Sequence, residues 1–279
     1  MRIFFPPSLG REKTLELIKN GMYPVSAVHM QRTDLLNSLP PIVDYEYHYS
    51  EFHIYSSVEY FFRMEALCHM HLASYITISS DFLVVDEEVE RIKRAMSSQD
   101  LNSSEEELQY REGLHYQLLS RMGGSGRHLE EVKNYADQGF VVQLWGINEK
   151  FISRLLKMFS EKIGVEFSIP TRWDILKEVL SDFEIDVSKV LSVFNSFDEL
   201  RVLNNKIKHL GEVDSALAAF PYFNAREGSK LEEFDYELQR YLESSYVFLI
   251  FLAQELFEKS NDQKLKEKVL KKEGYRLLC

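Results

Sequence analysis

Residues 196–211 read SFDELRVLNNKIKHLG, and this stretch is the most informative one for the fold. Its apolar residues recur every three or four positions, which is the spacing of one face of an α-helix. They are Leu200, Leu203, Ile207 and Leu210. Ser196 with Glu199 three residues later predicts a capping box at the start of the helix, and Gly211 predicts its end. The stretch therefore predicts an amphipathic helix that buries its leucines.

The other side of this helix is polar and cationic. Because each residue turns the helix by about 100°, Arg201, Asn205 and His209 form one ridge along it. Neighbouring positions add further polar groups, namely Asn204, Lys206 and Lys208. A solvated helix face is the simplest interpretation of such a pattern. A functional face is the alternative, because no acid separates Arg201 from His209 and two adjacent asparagines are poor helix formers.

The sequence around this helix predicts further helices. From Phe140 to Ile163, apolar residues recur at helical spacing. They are Val141, Leu144, Trp145, Ile152, Leu155, Leu156, Phe159 and Ile163, with the polar Asn148 between them. A second helix is predicted over Pro170–Phe183, with the proline in its first turn, and a long last helix over Phe234–Leu256. Because no segment reads as a convincing strand, the sequence predicts an all-α helical bundle.

The chain also suggests an organisation into parts. Residues 1–125 are predicted to form a mainly helical region of unknown role, including 45–49, where aromatic and polar residues alternate but helix remains the preferred interpretation. The glycines of 123–126 predict a flexible connector and a domain boundary. Residues 140–259 form the predicted helical bundle, and 260–279 a basic C-terminal tail whose alternative is a solvated helix.

Composition excludes several classes of function. The 279 residues carry a net charge of −11, which makes indiscriminate binding to nucleic acid or to an anionic membrane unfavourable. Cys68 and Cys279 form no CxxC pair, and His69 and His71 point in different directions on a helix, so we predict no metal and no cofactor. The longest apolar stretch, Tyr246–Ala253, is shorter than the ~20 residues that span a bilayer. A cytoplasmic protein without membrane contact is expected.

The helix around Arg201 resembles a known family. Residues 199–211, ELRVLNNKIKHLG, are similar to the helix that characterises the HEPN superfamily of helical-bundle domains, and the two preceding helices are similarly spaced. The resemblance covers about Phe140 to Lys259. In many HEPN proteins an arginine, a polar neighbour and a histidine, spaced as Rx4–6H, form a metal-independent endoribonuclease site at a dimer interface. Other members are inactive and serve as binding or antitoxin-like partners.

The resemblance implies roles for the polar ridge. It implies His209, Arg201 and Asn205 as catalytic residues of a metal-independent endoribonuclease or an RNA-binding effector of toxin or antiviral type, acting as a homodimer. Lys206, Lys208 and Asn204 would bind the phosphates of RNA. The alternative is a catalytically inactive HEPN-like module that binds a protein partner.

The spacing in this chain departs from the family pattern. Seven residues separate Arg201 from His209, and the four-residue spacing would place the arginine at Asn204. The two side chains stand about 12 Å apart along the helix axis. Two arrangements can bring them to one phosphate: the guanidinium leans one turn towards the histidine, or Arg201 of one chain meets His209 of a second copy.

Overall fold

The structure is a computed structural model that describes most of the chain. The described residues are 25, 30–31, 33–39, 45–97, 105–120, 124, 126–170, 172–209, 211–221, 223 and 225–278. Within them lie eleven α-helices and one antiparallel pair of two-residue strands. The prediction of an all-α helical bundle is confirmed. Among the described helices, none combines the length and the apolarity that a membrane span requires.

The α-helices are numbered in chain order. They are α1 (Asp34–Asn37), α2 (Tyr45–His48), α3 (Glu51–His53), α4 (Tyr60–Ser97), α5 (Glu105–Ser120), α6 (Gly126–Ile163), α7 (Trp173–Asp182), α8 (Leu191–His209), α9 (Ser215–Ala218), α10 (Leu238–Ser260) and α11 (Gln263–Val269). A π-helical segment, Ile54–Glu59, joins α3 to α4. Two 3-10 helices lie at Val187–Val190 and Leu231–Glu233. The strands are β1 (Val165–Glu166) and β2 (Arg276–Leu277).

Three predicted helix boundaries differ from the structure. α6 begins at Gly126 rather than Phe140, because its first turns are polar and leave no apolar stripe to detect. α7 begins at Trp173, after an extended residue at Arg172, so Pro170 precedes the helix instead of occupying its first turn. α10 begins at Leu238 rather than Phe234.

Two compact units divide the chain. Unit 1 comprises Met1–Val25, His69–Gly139 and Glu232–Phe234. Unit 2 comprises Ser26–Cys68, Phe140–Leu231 and Asp235–Cys279. One division falls between Gly139 and Phe140, where the HEPN-like bundle is predicted to begin. The aromatic segment from Tyr45 onward belongs to unit 2, although nothing in the sequence connects it with the second half.

The core of unit 2 forms around α10. Every residue from Ser244 to Phe257 is buried. A helix that is apolar all round belongs in the middle of a bundle. Phe248 contacts Phe197 of α8, with ring centroids 4.5 Å apart. Each fully buried side chain of this kind contributes about 1.5–3 kcal/mol. α10 therefore provides the surface on which α8 packs.

A polar contact inside this core explains why Asn148 interrupts the apolar stripe of α6. Its side chain is fully buried and accepts a hydrogen bond from Tyr60 Oη. Its Nδ2 donates to Ser245 Oγ at 2.9 Å. Because buried polar groups are costly unless they are paired, these bonds fix α4, α6 and α10 in one register.

Unit 1 contains a buried ionic cluster around Asp137 of α6. His71 Nε2 lies 2.8 Å from Asp137 Oδ1, Tyr75 Oη donates to the same oxygen at 2.7 Å, and Lys133 Nζ lies 3.1 Å from Oδ2. Burial alone would raise the pKa of Asp137, but the bonds from His71, Tyr75 and Lys133 bring it below its ordinary value. The cluster holds α4 against α6 in this unit.

Residues 260–278 are anchored to unit 2 at a few positions, although most of their side chains are exposed. α11 buries Leu265 and Val269, and β2 pairs with β1, with Leu277 opposite Val165. Lys268 forms an ion pair with Glu184, and Lys272 forms one with Asp182. Two of the basic residues of the predicted tail are therefore paired with acids at the end of α7 and just after it.

Candidate functional site

α8 begins five residues earlier than its sequence suggests. The helix starts at Leu191, directly after the 3-10 turn Val187–Val190. The predicted capping box at Ser196 and Glu199 is therefore wrong, because both residues lie in the helix interior. Their side chains bind Arg240 of α10 instead, with Arg240 Nη1 donating to Ser196 Oγ at 3.0 Å.

The predicted end of α8 is confirmed. The helix ends at His209, and Gly211 adopts a φ of 66°. Its N–H donates to the carbonyl oxygen of Lys206 at 2.9 Å. A positive φ suits glycine, which has no Cβ to clash with the backbone.

Glu199 fixes how α8 is rotated on α10. Its carboxylate is fully buried and receives Arg240 Nη2 at 2.6 Å and Nη1 at 3.0 Å. Tyr241 Oη donates to the same carboxylate at 2.5 Å. Burial and the adjacent Glu199 charge raise the pKa of Tyr241 well above its ordinary value. Leu200 and Leu203 are fully buried beside this cluster, as their spacing predicts.

With that face buried, Arg201 lies on the other side of α8. Its Nε donates to Asp198 Oδ1 at 2.7 Å, and its Cζ lies 5.3 Å from the centre of the Trp173 ring. The side chain is 23% exposed. Lys177 Nζ also lies 3.5 Å from Asp198 Oδ2. The guanidinium is thus held against an aromatic wall, whereas the sequence suggested a fully solvated position.

The two asparagines divide into a buried and an exposed residue. Asn204 is 1% exposed, and its Nδ2 donates to Asn205 Oδ1 at 3.1 Å. Among the described residues, no donor reaches Asn204 Oδ1. Asn205 is exposed. Asn204 is therefore a buried residue whose side-chain amide contacts the exposed Asn205.

The remaining predicted residues lie at the C-terminal end of α8. Lys206 forms an ion pair with Asp214, the N-cap of α9, and their hydrogen bond lowers the pKa of Asp214. Lys208 and His209 are exposed. Of the predicted site residues at this end of α8, Lys208 and His209 are therefore the most exposed to solvent.

A cavity of about 700 Å³ lies beside this ridge in unit 2. Its walls come from α6, from the start of α7 with the segment before it, and from α8. The lining residues are Trp145, Glu149, Ile152, Ser153, Pro170, Arg172, Trp173, Asp174, Leu176, Arg201 and Asn205. The structure therefore brings two predicted site residues, Arg201 and Asn205, into one cavity. His209 lies one helical turn beyond Asn205 and is not among the described lining residues.

Both tryptophans of the chain line this cavity, although no pattern in the sequence assigned either of them to a site. The rings of Trp145 and Trp173 meet edge to face, with centroids 6.0 Å apart. Trp145 and Glu149 are four residues apart on α6, so they lie on one face. The rarity of tryptophan was an available signal, but only the tertiary fold shows that Trp145 and Trp173 meet.

The charged residues of the cavity are nearly balanced. Arg172 Nη2 lies 2.5 Å from Asp174 Oδ2, and Arg201 is paired with Asp198. Within the described part of the chain, the structure shows no ion pair for Glu149. The cavity therefore offers guanidinium donors and one carboxylate without an ion-pair partner.

Two further observations bear on ligands and relatives. Among the described residues, no three histidine, cysteine, aspartate or glutamate side chains are close enough to share a metal ion.

Comparison of the chain with protein-family models, curated proteins and solved structures finds no match.

Proposed function

We propose that this protein is a HEPN-like RNA-binding effector that cleaves single-stranded RNA without a metal ion, in the cytoplasm, in a toxin or antiviral role. The observation that carries the proposal is the position of the α8 ridge. Arg201 and Asn205 line one cavity with both tryptophans, and His209 is exposed one turn further along the same helix. Aromatic rings beside an arginine are a common combination for single-stranded RNA.

The chemistry uses the 2′-hydroxyl of RNA as its own nucleophile. The 2′-oxygen bonds to the adjacent phosphorus while the bond to the 5′-oxygen of the next nucleotide breaks, leaving a 2′,3′-cyclic phosphate. The imidazole of His209 takes the 2′-OH proton or protonates the leaving 5′-oxygen. The ammonium of Lys208 stabilises the charge that develops on the phosphate, and Arg201 holds the RNA strand on the same ridge.

A homodimer completes the proposal. Because His209 lies about 12 Å along the axis from Arg201, a second copy of α8 can supply the missing partner of each residue. Sedimentation is expected to show a dimer. A stable monomer at micromolar concentration would remove the shared version of the site.

The test is a cleavage assay in EDTA with purified protein and single-stranded RNA. We expect products with a 2′,3′-cyclic phosphate and no cleavage where the scissile position is 2′-deoxy. His209→Ala should abolish turnover and keep most of the RNA affinity, whereas His115→Ala, an exposed histidine of α5, should cut like wild type. Cleavage that needs added divalent metal, or that His209→Ala retains, would contradict the mechanism.

A specific observation favours a second candidate, a catalytically inactive module that binds a protein partner. Arg201 and Lys206 are each paired with an acid, Asp198 and Asp214, which lowers the positive charge available for phosphate. Expression in cells separates the two candidates. Growth arrest that His209→Ala relieves supports the nuclease. A protein that neither cuts nor binds RNA, yet retains a partner through the 201–209 face, supports the module.

A further inference from the structure

The kind of ligand that the cavity can bind depends on which of its charged side chains are already paired within the protein. Four lining side chains are charged: Glu149, Arg172, Asp174 and Arg201. Arg172 and Asp174 bind each other through two hydrogen bonds, at 3.2 Å and 2.5 Å. Among the described residues, Glu149 has no hydrogen-bond or ion-pair partner. A ligand that enters here therefore meets an available carboxylate.

Arg201 provides the complementary group. Its Nε is occupied by Asp198, whereas the structure shows no hydrogen bond from either Nη atom to a described residue. The contact with Trp173 holds the guanidinium in place. Because this arginine is positioned before any ligand arrives, its two Nη donors are available for a planar acceptor.

These two groups match two neighbouring edges of one nucleobase. Guanine carries two adjacent donors, N1–H and the N2 amino group, which fit the two oxygens of a carboxylate. Its other edge carries the acceptors O6 and N7, for which a bidentate arginine is the commonest specific partner. Adenine, cytosine and uracil do not present two adjacent donors, so each sets at least one acceptor against Glu149.

The shape and charge of the cavity agree with a base rather than a phosphate. A volume of about 700 Å³ accommodates a nucleoside, and Trp145, Ile152 and Pro170 supply an apolar wall. A phosphate beside an available carboxylate would be repelled, because the arginines already have acidic partners.

We propose that this cavity is a guanine-binding subsite, in which Glu149 binds the N1–H and N2 edge and Arg201 binds O6 and N7. The inference rests on the proposed function, since it makes the guanosine of an RNA strand the nucleotide that is held beside His209. Guanine selectivity is then determined by Glu149, a residue outside the HEPN-like motif.

The test measures the binding of guanosine alone, so that it does not depend on cleavage. Both tryptophans line the cavity, and their fluorescence serves as the signal. Guanosine is expected to bind at least about tenfold more tightly than adenosine or inosine, which lacks the N2 amino group. Glu149→Gln should remove this preference, and Glu161→Gln, an exposed glutamate on the same helix, should retain it.

The outcomes separate this inference from the proposed function. Selective guanosine binding without RNA cleavage supports the subsite and rejects the nuclease. RNA cleavage with equal binding of guanosine, inosine and adenosine, or with no guanosine binding at millimolar concentration, overturns the subsite and leaves the nuclease. The wild-type protein, measured with guanosine and with inosine, distinguishes these outcomes even where a variant fails to fold.

Discussion

Two arginine–carboxylate pairs involve residues of α8, and they differ in how many of the arginine N–H donors are used by contacts within the protein. Arg240 binds Glu199 through both Nη atoms, and the carboxylate is fully buried. Arg201 binds Asp198 through Nε alone and lies at the edge of a cavity. The first pair holds the helix in place. The second leaves donors available for a ligand.

The comparison shows that residue type alone does not separate a structural arginine from a functional one. Glu199 and Asp198 are neighbours in the sequence, yet they point in directions about 100° apart around the helix, so Glu199 binds Arg240 and Asp198 binds Arg201. What distinguishes the pairs is burial and the number of donors that remain. Changes on the two sides of α8 should therefore have different consequences for stability and for binding.

The largest effect on stability is expected from Glu199→Ala. The variant removes the buried carboxylate that binds both Arg240 and Tyr241 Oη, leaving Arg240 with the more exposed Glu237 as an ion-pair partner, and breaking a buried pair costs about 3–5 kcal/mol. Denaturant unfolding measures the loss. Asp198→Ala is the matched control on the other side of the helix, and it should cost clearly less, because its partners Arg201 and Lys177 keep more contact with solvent. Similar losses for both variants would mean that the two pairs are equivalent.

The second-largest loss of stability is expected from Leu203→Ala. Leu203 is fully buried, so its truncation should cost about 2–5 kcal/mol through lost contacts and a residual cavity. Ile207 lies one turn further along and is only partly buried, so Ile207→Ala should cost clearly less. Thermal melts of both variants test this gradient, and a larger loss at Ile207 would contradict the rotation of α8.

The third predicted effect is on the pH dependence of stability. Because burial and Glu199 raise the pKa of Tyr241, its ionisation is suppressed in the folded state and not in the unfolded one. Its contribution to stability is therefore complete below about pH 10 and is lost as the pH rises above that value. Above about pH 10, wild type should lose about 1.4 kcal/mol per pH unit more than Tyr241→Phe. Parallel curves would show that Tyr241 ionises freely in the folded protein.

Local patterns in the sequence were sufficient for much of the fold. The apolar spacing of residues 140–163 and 200–203, together with Gly211, correctly predicted helices, a buried face and a helix end. The capping box at Ser196 failed because the same residue pattern also serves a buried cluster. The signal that distinguishes the two uses is Arg240, whose position depends on the tertiary fold.

Less of the candidate site than of the fold could be predicted from the sequence. Asp198 lies three residues before Arg201 and could have been recognised as its partner, because that spacing brings side chains together on a helix. Trp145 and Trp173 come from different helices, and no local pattern connects them. Glu149 reads as an ordinary surface glutamate until the cavity is visible.

The central claim is that one side of α8 builds the fold and the other builds the site, and Arg201→Ala tests it most directly. RNA affinity and melting temperature are measured on the same variant, with Arg240→Ala as its counterpart. We expect Arg201→Ala to lose RNA affinity while its unfolding free energy changes by at most about 1 kcal/mol. Arg240→Ala should instead lose stability. An Arg201→Ala protein that binds RNA like wild type, or that is destabilised as much as Arg240→Ala, would contradict this account.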